Sequence, residues 1–211
     1  MENRGTLFTE AGVRPLLTPD GKANQYSLAH RFIRPELCTP MRLRQAKAAV
    51  ESGEQEKVIE HVGKAIGGSE YSSFLLSSEA FCFLRTDSER DALEVAVTKL
   101  VDEVIPIVVF RGDKAWRNSF GNQLRKMGIL EACYGLREAE RPDGAWYYDK
   151  DALYDFWSRV GPLITIDYDA ALRRDGDIIP SFLSAVGVGF DQQPTAAGWK
   201  NVTKHPSHRS A

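Results

Sequence analysis

The sequence predicts an α/β fold in which helices cover a parallel sheet. Three short apolar runs are separated by amphipathic segments, a pattern that indicates strands and helices in alternation. Such alternation is typical of parallel sheets, because two parallel strands need a long crossover that a helix usually supplies. The three predicted strands lie at residues 72–77, 105–110 and 163–167.

The composition is that of a single globular domain. The chain has 211 residues, a formal net charge of -2 and 27% charged residues, with no basic stripe to suggest a nucleic-acid partner. No apolar run approaches the ~18 residues of a transmembrane segment, and the N-terminus lacks a secretion signal. The three scattered cysteines are typical of reduced thiols in the cytoplasm and have no metal-ligand spacing. We therefore expect a cytoplasmic domain over residues 1–190, without metal, and a polar, disordered tail over residues 191–211.

Helices and loops fill the first third of the chain. Residues 3–10 are interpreted as the end of a helix that Gly12 closes. Thr39 and Pro40 are a typical helix start, with threonine as the cap and proline at the first helical position. A second helix is predicted to run to Ile66. Loop signals occupy the region between Gly12 and Thr39, namely Pro15, Pro19, Asp20 and Gly21.

The first predicted strand is followed by polar residues and then by a helix. Residues 72–77 deliver Ser78 and Glu79 to the end of the strand. Asp87 or Ser88 then caps a helix that runs to Val101. His30, in a short helical piece further upstream, is interpreted as a packed or surface residue rather than a ligand.

The stretch from residue 104 to residue 128 is the most informative part of the chain. Its β-branched run predicts a buried strand that ends at Arg111. Asp113 is the predicted N-cap of a helix over residues 114–127, and Ser119 lies in its second turn, off the apolar stripe. Ligands collect outside the carboxyl ends of parallel strands, where a guanidinium and a hydroxyl suit a phosphate. Arg111 could equally pair with a surface carboxylate, so the pattern leaves both readings open.

The last third repeats the strand and helix pattern after an excursion. Residues 129–150 contain the aromatic cluster Trp146, Tyr147 and Tyr148, which could stack on sugars but is more simply explained by core packing. A helix over residues 152–160 precedes the third strand, and a helix over residues 178–186 follows it.

Four segments, taken in order, resemble a known family. They are Ser77-Ser78-Glu79 after a strand, IVVFR with a serine eight residues after the arginine, ALYDFWSRVGPLITIDYD, and GDIIPSFLSAVGV. Together they resemble the bacterial carbohydrate sulfotransferase-like proteins of the P-loop sulfotransferase superfamily. The resemblance covers residues 70–190 and extends weakly back to residue 3.

The resemblance implies a three-layer α/β fold with a central parallel sheet and 3′-phosphoadenosine 5′-phosphosulfate as the sulfuryl donor. Arg111 and Ser119 would bind the 3′-phosphate of the donor. Glu79 would be the base that deprotonates the acceptor, a carbohydrate or lipid-linked glycan hydroxyl. For Glu79, capping a turn or pairing with a lysine is an equally open reading.

The chain departs from the family at its N-terminus. Family members begin with a strand and a glycine-rich, lysine-bearing loop that cradles the 5′-phosphosulfate. The sequence contains no such loop, so we expect the sulfotransferase-like domain to be N-terminally incomplete, with the central strand of the sheet missing.

Three functions follow from these observations. The first is a sulfotransferase whose activity depends on the missing loop. The second is a truncated, non-catalytic remnant that binds a nucleotide or a partner. The third is a glycosyltransferase or another nucleotide-dependent enzyme with a similar sheet, since a fold does not determine a function.

Overall fold

The computed structural model describes residues 8–37, 39–45, 52–129 and 146–188, and these residues form an α/β structure. The predicted excursion falls mostly at residues 130–145, outside the described residues, as does the predicted tail at 191–211. Among the described residues, no helix is both long and apolar enough to cross a membrane.

The described strands form two small parallel sheets rather than one. β1 (Val13–Pro15) pairs with β2 (Ser73–Leu75), and β3 (Ile107–Phe110) pairs with β4 (Ile164–Asp167). Both pairs are parallel, as the alternation of strands and helices predicts. Each sheet has two described strands, so each strand has one edge that pairs with no other described strand.

The strands are shorter and more exposed than the apolar runs suggest. β3 was predicted to be buried, yet Val109 is 40% exposed and the preceding Ile105 is 51% exposed. The physical reason is the two-strand sheet, because a strand of a parallel sheet is buried only when neighbours and helices cover it. β3 therefore has the apolar sequence pattern of an interior strand, although it lies at the edge of its sheet.

β1 was not foreseen, because its sequence contains Pro15 and was assigned to a loop. Proline lacks an N–H donor, and it is tolerated here in a strand that has a partner on one side only. The Leu16 N–H continues the ladder by donating to the Leu75 carbonyl at 2.9 Å. The side-chain amide of Gln25 then donates to the Leu16 carbonyl at 2.8 Å and holds the end of the strand.

Helices make up most of the described residues outside the two sheets. Residues 8–10 are helical, and Gly12 follows with φ +76°, as expected of a residue that closes a helix. The remaining helices are α1 (Tyr26–Phe32), α2 (Pro40–Gln45), α3 (Ser52–Gly67), a 3₁₀ helix (Glu79–Phe83), α4 (Asp87–Val97), α5 (Asp113–Lys126), α6 (Lys150–Val160), α7 (Tyr168–Asp175) and α8 (Ile179–Ala185).

Several helix caps differ from the predictions. Thr86, not Asp87 or Ser88, caps α4, where it forms a capping box with Glu89. Gly112, not Asp113, is the N-cap of α5, and the Asp113 carboxylate pairs with Lys150. These errors arise because threonine, serine, aspartate and glycine are all acceptable N-caps, so neighbouring positions compete for the role.

One buried carboxylate joins three segments of the chain. Glu89 is 3% exposed and accepts hydrogen bonds from the backbone N–H groups of Arg34, Arg85 and Thr86 at 2.8–2.9 Å. The Arg34 guanidinium lies 3.2 Å from the same carboxylate. Burial alone raises the pKa of a carboxyl, but the three backbone donors and Arg34 outweigh it and hold the pKa of Glu89 below its usual value.

A cluster of aromatic rings packs α5 against the residues that precede α6. Phe120 stacks on Tyr147 with ring centroids 4.1 Å apart, and Trp116 contacts the edges of Tyr147 and Tyr148. Because aromatic contacts bury large areas in fixed geometries, they hold the face of α5 that carries Trp116 and Phe120 in place.

Candidate functional site

Arg111 and Ser119 lie against each other at the end of β3. Arg111 is the first residue after the strand, and Nη1 of its guanidinium donates to the Ser119 hydroxyl oxygen at 3.1 Å. Gly112 turns the chain into α5, and about two turns later Ser119 lies on the exposed side of that helix. The structure therefore brings together the two residues that the sequence predicts for an anion site.

The guanidinium of Arg111 lies over the aromatic ring of Tyr168. The guanidinium carbon lies 4.2 Å from the centroid of the Tyr168 ring, a distance suited to a cation–π contact. Nε of Arg111 is buried and has no hydrogen-bond partner among the described residues. The guanidinium is thus held by a ring and a hydroxyl, and the contacts described for it include no carboxylate.

Arg111 lines an open cleft of about 470 Å³ between the ends of β3 and β4. Two further cations line the cleft, Lys150 at the start of α6 and Arg173 on α7. Lys150 Nζ lies 2.5 Å from Asp113 Oδ1, and this contact lowers the pKa of Asp113. Arg173 is exposed and makes no hydrogen bond or ion pair with a described residue.

The carboxylates that line the cleft are engaged with backbone groups. Asp167 accepts from the Ala170 N–H at 2.8 Å and so caps α7, and Asp169 accepts from the Gly112 N–H at 2.6 Å. Because both carboxylates face N–H donors of the chain, Arg111 and Arg173 are left without an anionic partner among the described residues. This arrangement can bind an anion from solution, such as a phosphate group.

Glu79 lies elsewhere in the described structure. It is the exposed first residue of the 3₁₀ helix that follows β2, and it does not line the cleft of Arg111. The adjacent Ser78 caps this helix, by accepting from the Ala80 N–H at 3.2 Å. Glu79 itself makes no hydrogen bond or ion pair with a described residue, so neither turn capping nor lysine pairing accounts for its side chain there.

The other side chains considered in the sequence are packed. Trp146 and Tyr147 are 5% and 6% exposed, which agrees with their interpretation as core residues. His30 is also buried, with Nδ1 donating to the Tyr26 carbonyl at 3.0 Å and Nε2 accepting from the Thr39 hydroxyl at 2.8 Å. Burial lowers the pKa of His30, in keeping with a neutral ring.

The residues around Arg111 that the sequence did not assign to the site include Tyr168, which packs on the guanidinium, and Asp169 and Lys150, which line the cleft. A signal for two of them was present. Tyr168 and Asp169 follow β4 as Arg111 and Gly112 follow β3, and parallel neighbours bring these ends to one edge. Lys150 gave no such signal, because it reaches the cleft from the start of a helix.

The chain was compared with protein-family models, curated proteins and solved structures, and no match was found. In the part of the chain that the structure describes, no group of three or more histidine, cysteine, aspartate or glutamate residues could hold a metal ion.

Proposed function

We propose that this chain is a sulfotransferase-like protein whose Arg111 and Ser119 bind the 3′-phosphate of 3′-phosphoadenosine 5′-phosphosulfate. The observation that carries the proposal is the 3.1 Å contact between the two side chains at the rim of the cleft. A hydroxyl that already touches a guanidinium can turn its hydrogen toward a phosphate oxygen while the guanidinium donates to a second oxygen.

The position of this pair also supports a nucleotide. The cleft lies at the carboxyl ends of two parallel strands, where α/β proteins commonly bind such ligands. Arg111 is held against Tyr168 before any ligand arrives, so little side-chain freedom is lost on binding. Arg173, without a described partner, adds a positive charge to the same cleft.

In the proposed reaction, a hydroxyl oxygen of a carbohydrate or lipid-linked glycan attacks the sulfur of the donor. A new S–O bond forms, the S–O bond to the 5′-phosphate breaks, and adenosine 3′,5′-bisphosphate leaves. Glu79 takes the proton of the attacking hydroxyl. We place this reaction in the cytoplasm, in keeping with the free thiol of Cys82. Transfer also requires a glycine-rich, lysine-bearing loop at the 5′-phosphosulfate, which this sequence does not contain.

We further propose that the two sheets are halves of one central parallel sheet in a three-layer fold. Three observations support this arrangement: both pairs are parallel, each strand has one edge without a partner among the described strands, and Val109 on β3 is exposed although its strand has the composition of an interior one. A strand between β2 and β3 would join the pairs in the order β1, β2, added strand, β3, β4.

A non-catalytic nucleotide-binding protein is the second candidate. It is favoured by the position of Glu79, which does not line the cleft that holds Arg111. The two candidate functions share the 3′-phosphate site. They differ in whether Glu79 takes a proton from an acceptor hydroxyl.

Calorimetric titration tests the shared part of the proposal. We expect the chain to bind adenosine 3′,5′-bisphosphate more tightly than adenosine 5′-monophosphate, because only the first ligand carries the 3′-phosphate. Equal affinities would contradict the proposal. Tighter binding of a nucleotide sugar would favour a glycosyltransferase or another nucleotide-dependent enzyme.

The catalytic part of the proposal is tested with a fusion protein that supplies the loop. A strand and a glycine-rich, lysine-bearing loop are joined to the N-terminus, and transfer of labelled sulfuryl to a panel of glycans is measured. We expect transfer that Glu79→Gln lowers by about 100-fold or more, as for a general base. No transfer by a folded, bisphosphate-binding fusion would favour the non-catalytic candidate.

A further inference from the structure

A hydrogen bond fixes the turn between Arg111 and α5. Oδ2 of Asp169 accepts from the Gly112 N–H at 2.6 Å. Gly112 directly follows Arg111 and is the N-cap of α5, the helix that carries Ser119. A single carboxylate therefore holds the chain between the two members of the anion site.

The register of the sheet explains how Asp169 reaches this turn. Phe110 is aligned with Asp167, so Gly112 and Asp169 each follow the last aligned pair by two residues. The backbone of Gly112 is extended, with φ -58° and ψ 142°, and its missing side chain leaves space for the carboxylate. A Cβ at this position would lie only 2.9 Å from Oδ2 of Asp169.

The location of Asp169 requires an explanation, because a carboxylate that lines an anion-binding cleft repels the ligand. Its bond to a backbone N–H offsets that repulsion and is stronger than a bond between neutral groups. Tyr168, the residue before it, supports the Arg111 guanidinium at 4.2 Å, and Asp167 caps the same helix. Three consecutive residues at the end of β4 thus act on the residues that follow β3 or on the helix that follows β4.

We propose that Asp169 is a positioning residue for the 3′-phosphate site. It holds the turn at Gly112 so that Arg111 stays between Ser119 and Tyr168. The inference rests on the proposed function for its ligand, and it concerns how this chain keeps the site formed rather than what the site binds.

The test compares Asp169→Ala, which removes the acceptor, with Asp169→Asn, which keeps an oxygen acceptor. Asp155→Ala is the matched control, because Asp155 is an exposed carboxylate that pairs with Arg159 on α6. The readout is the ratio of affinities for adenosine 3′,5′-bisphosphate and adenosine 5′-monophosphate. We expect Asp169→Ala to lower this ratio about tenfold, and Asp169→Asn and the control to keep it within about threefold.

A ligand-free measurement separates this inference from the proposed function. In NMR spectra, Asp169→Ala is expected to speed hydrogen exchange at the Gly112 amide and to shift the Arg111 Nε–H signal. If the wild-type chain does not prefer the bisphosphate, the proposed function fails, and these signals still decide the role of Asp169. An unchanged affinity ratio in a chain that does prefer it, or an unchanged Arg111 signal, would overturn the inference.

Discussion

Arg111 and Ser119, eight residues apart in the chain, lie within 3.1 Å of each other across the turn between β3 and α5. The contact joins the end of a strand to the exposed side of a helix. It leaves the guanidinium at the rim of a cleft whose carboxylates face backbone donors.

The first prediction concerns the cooperation of this pair. We expect Ser119→Ala to weaken binding of adenosine 3′,5′-bisphosphate by about 3- to 10-fold, because one hydrogen bond to the phosphate is lost. In a double-mutant cycle with Arg111→Lys, calorimetry should give a combined effect smaller than the sum, since both variants disturb one phosphate contact. Strict additivity would contradict a shared ligand group.

The second prediction concerns the buried carboxylate of Glu89. Glu89→Ala leaves three backbone N–H groups and the Arg34 guanidinium without this acceptor, so we expect the free energy of unfolding to fall by about 3–5 kcal/mol. Urea unfolding measures the change. The control, Glu94→Ala, removes a partly exposed carboxylate from the same helix and should change stability by less than about 1 kcal/mol. Equal effects of the two variants would show that the network around Glu89 adds little.

The third prediction concerns pH. Burial lowers the pKa of His30 below the value of 6.5 that it has in the unfolded chain. As the pH falls below about 6.5, the unfolded chain binds a proton that the folded chain resists, so the free energy of unfolding decreases until the lowered pKa is reached. Each unit by which the pKa is lowered corresponds to about 1.4 kcal/mol.

Unfolding curves between about pH 7 and about pH 5 measure this contribution. We expect the decrease to be smaller in His30→Gln, because the amide does not titrate. His61→Gln is the control, since the His61 ring makes one exposed contact with the Leu17 carbonyl. Parallel pH profiles for the wild type and His30→Gln would rule out the proposed role of the buried ring.

The fourth prediction concerns the free edges of the sheets. Two-stranded sheets with exposed apolar residues are prone to pair with other chains, so we expect the chain alone to be marginally stable or to aggregate. Size-exclusion chromatography and a thermal melt measure this, and Val109→Thr should raise the monomeric fraction. A monomer that melts cooperatively at high temperature without the substitution would argue against the open sheet edges.

The sequence was most informative where one periodicity dominates. Every boundary of β3, α5 and α6 was predicted to within two residues, because each element has an apolar run or stripe next to a clear turn signal. β1, the 3₁₀ helix and α7 were missed. β1 depends on tertiary contacts, such as the Leu16 N–H bond to Leu75, which local patterns do not encode. The 3₁₀ helix and α7 are short helices that directly follow a predicted strand, and the sequence analysis assigned no helix there.

Only part of the candidate site was predicted from the sequence. Arg111 and Ser119 share a strand–turn–helix unit, so their approach follows from local geometry. Asp169 and Lys150 come from segments distant in the chain, and only the pairing of β3 with β4 and the start of α6 reveal them. Glu79 was grouped with the arginine by resemblance alone, and it does not line the same cleft.

The most direct measurement is the preference for a 3′-phosphate in Arg111→Ala. The affinities for adenosine 3′,5′-bisphosphate and adenosine 5′-monophosphate are measured by calorimetry in the wild type, in Arg111→Ala and in the control Arg125→Ala, whose guanidinium bonds within α5. We expect the preference for the bisphosphate to be lost in Arg111→Ala and kept in the control, because a charged hydrogen bond to phosphate contributes about 1.5–3 kcal/mol. A preference that survives Arg111→Ala unchanged would contradict the assignment of this site.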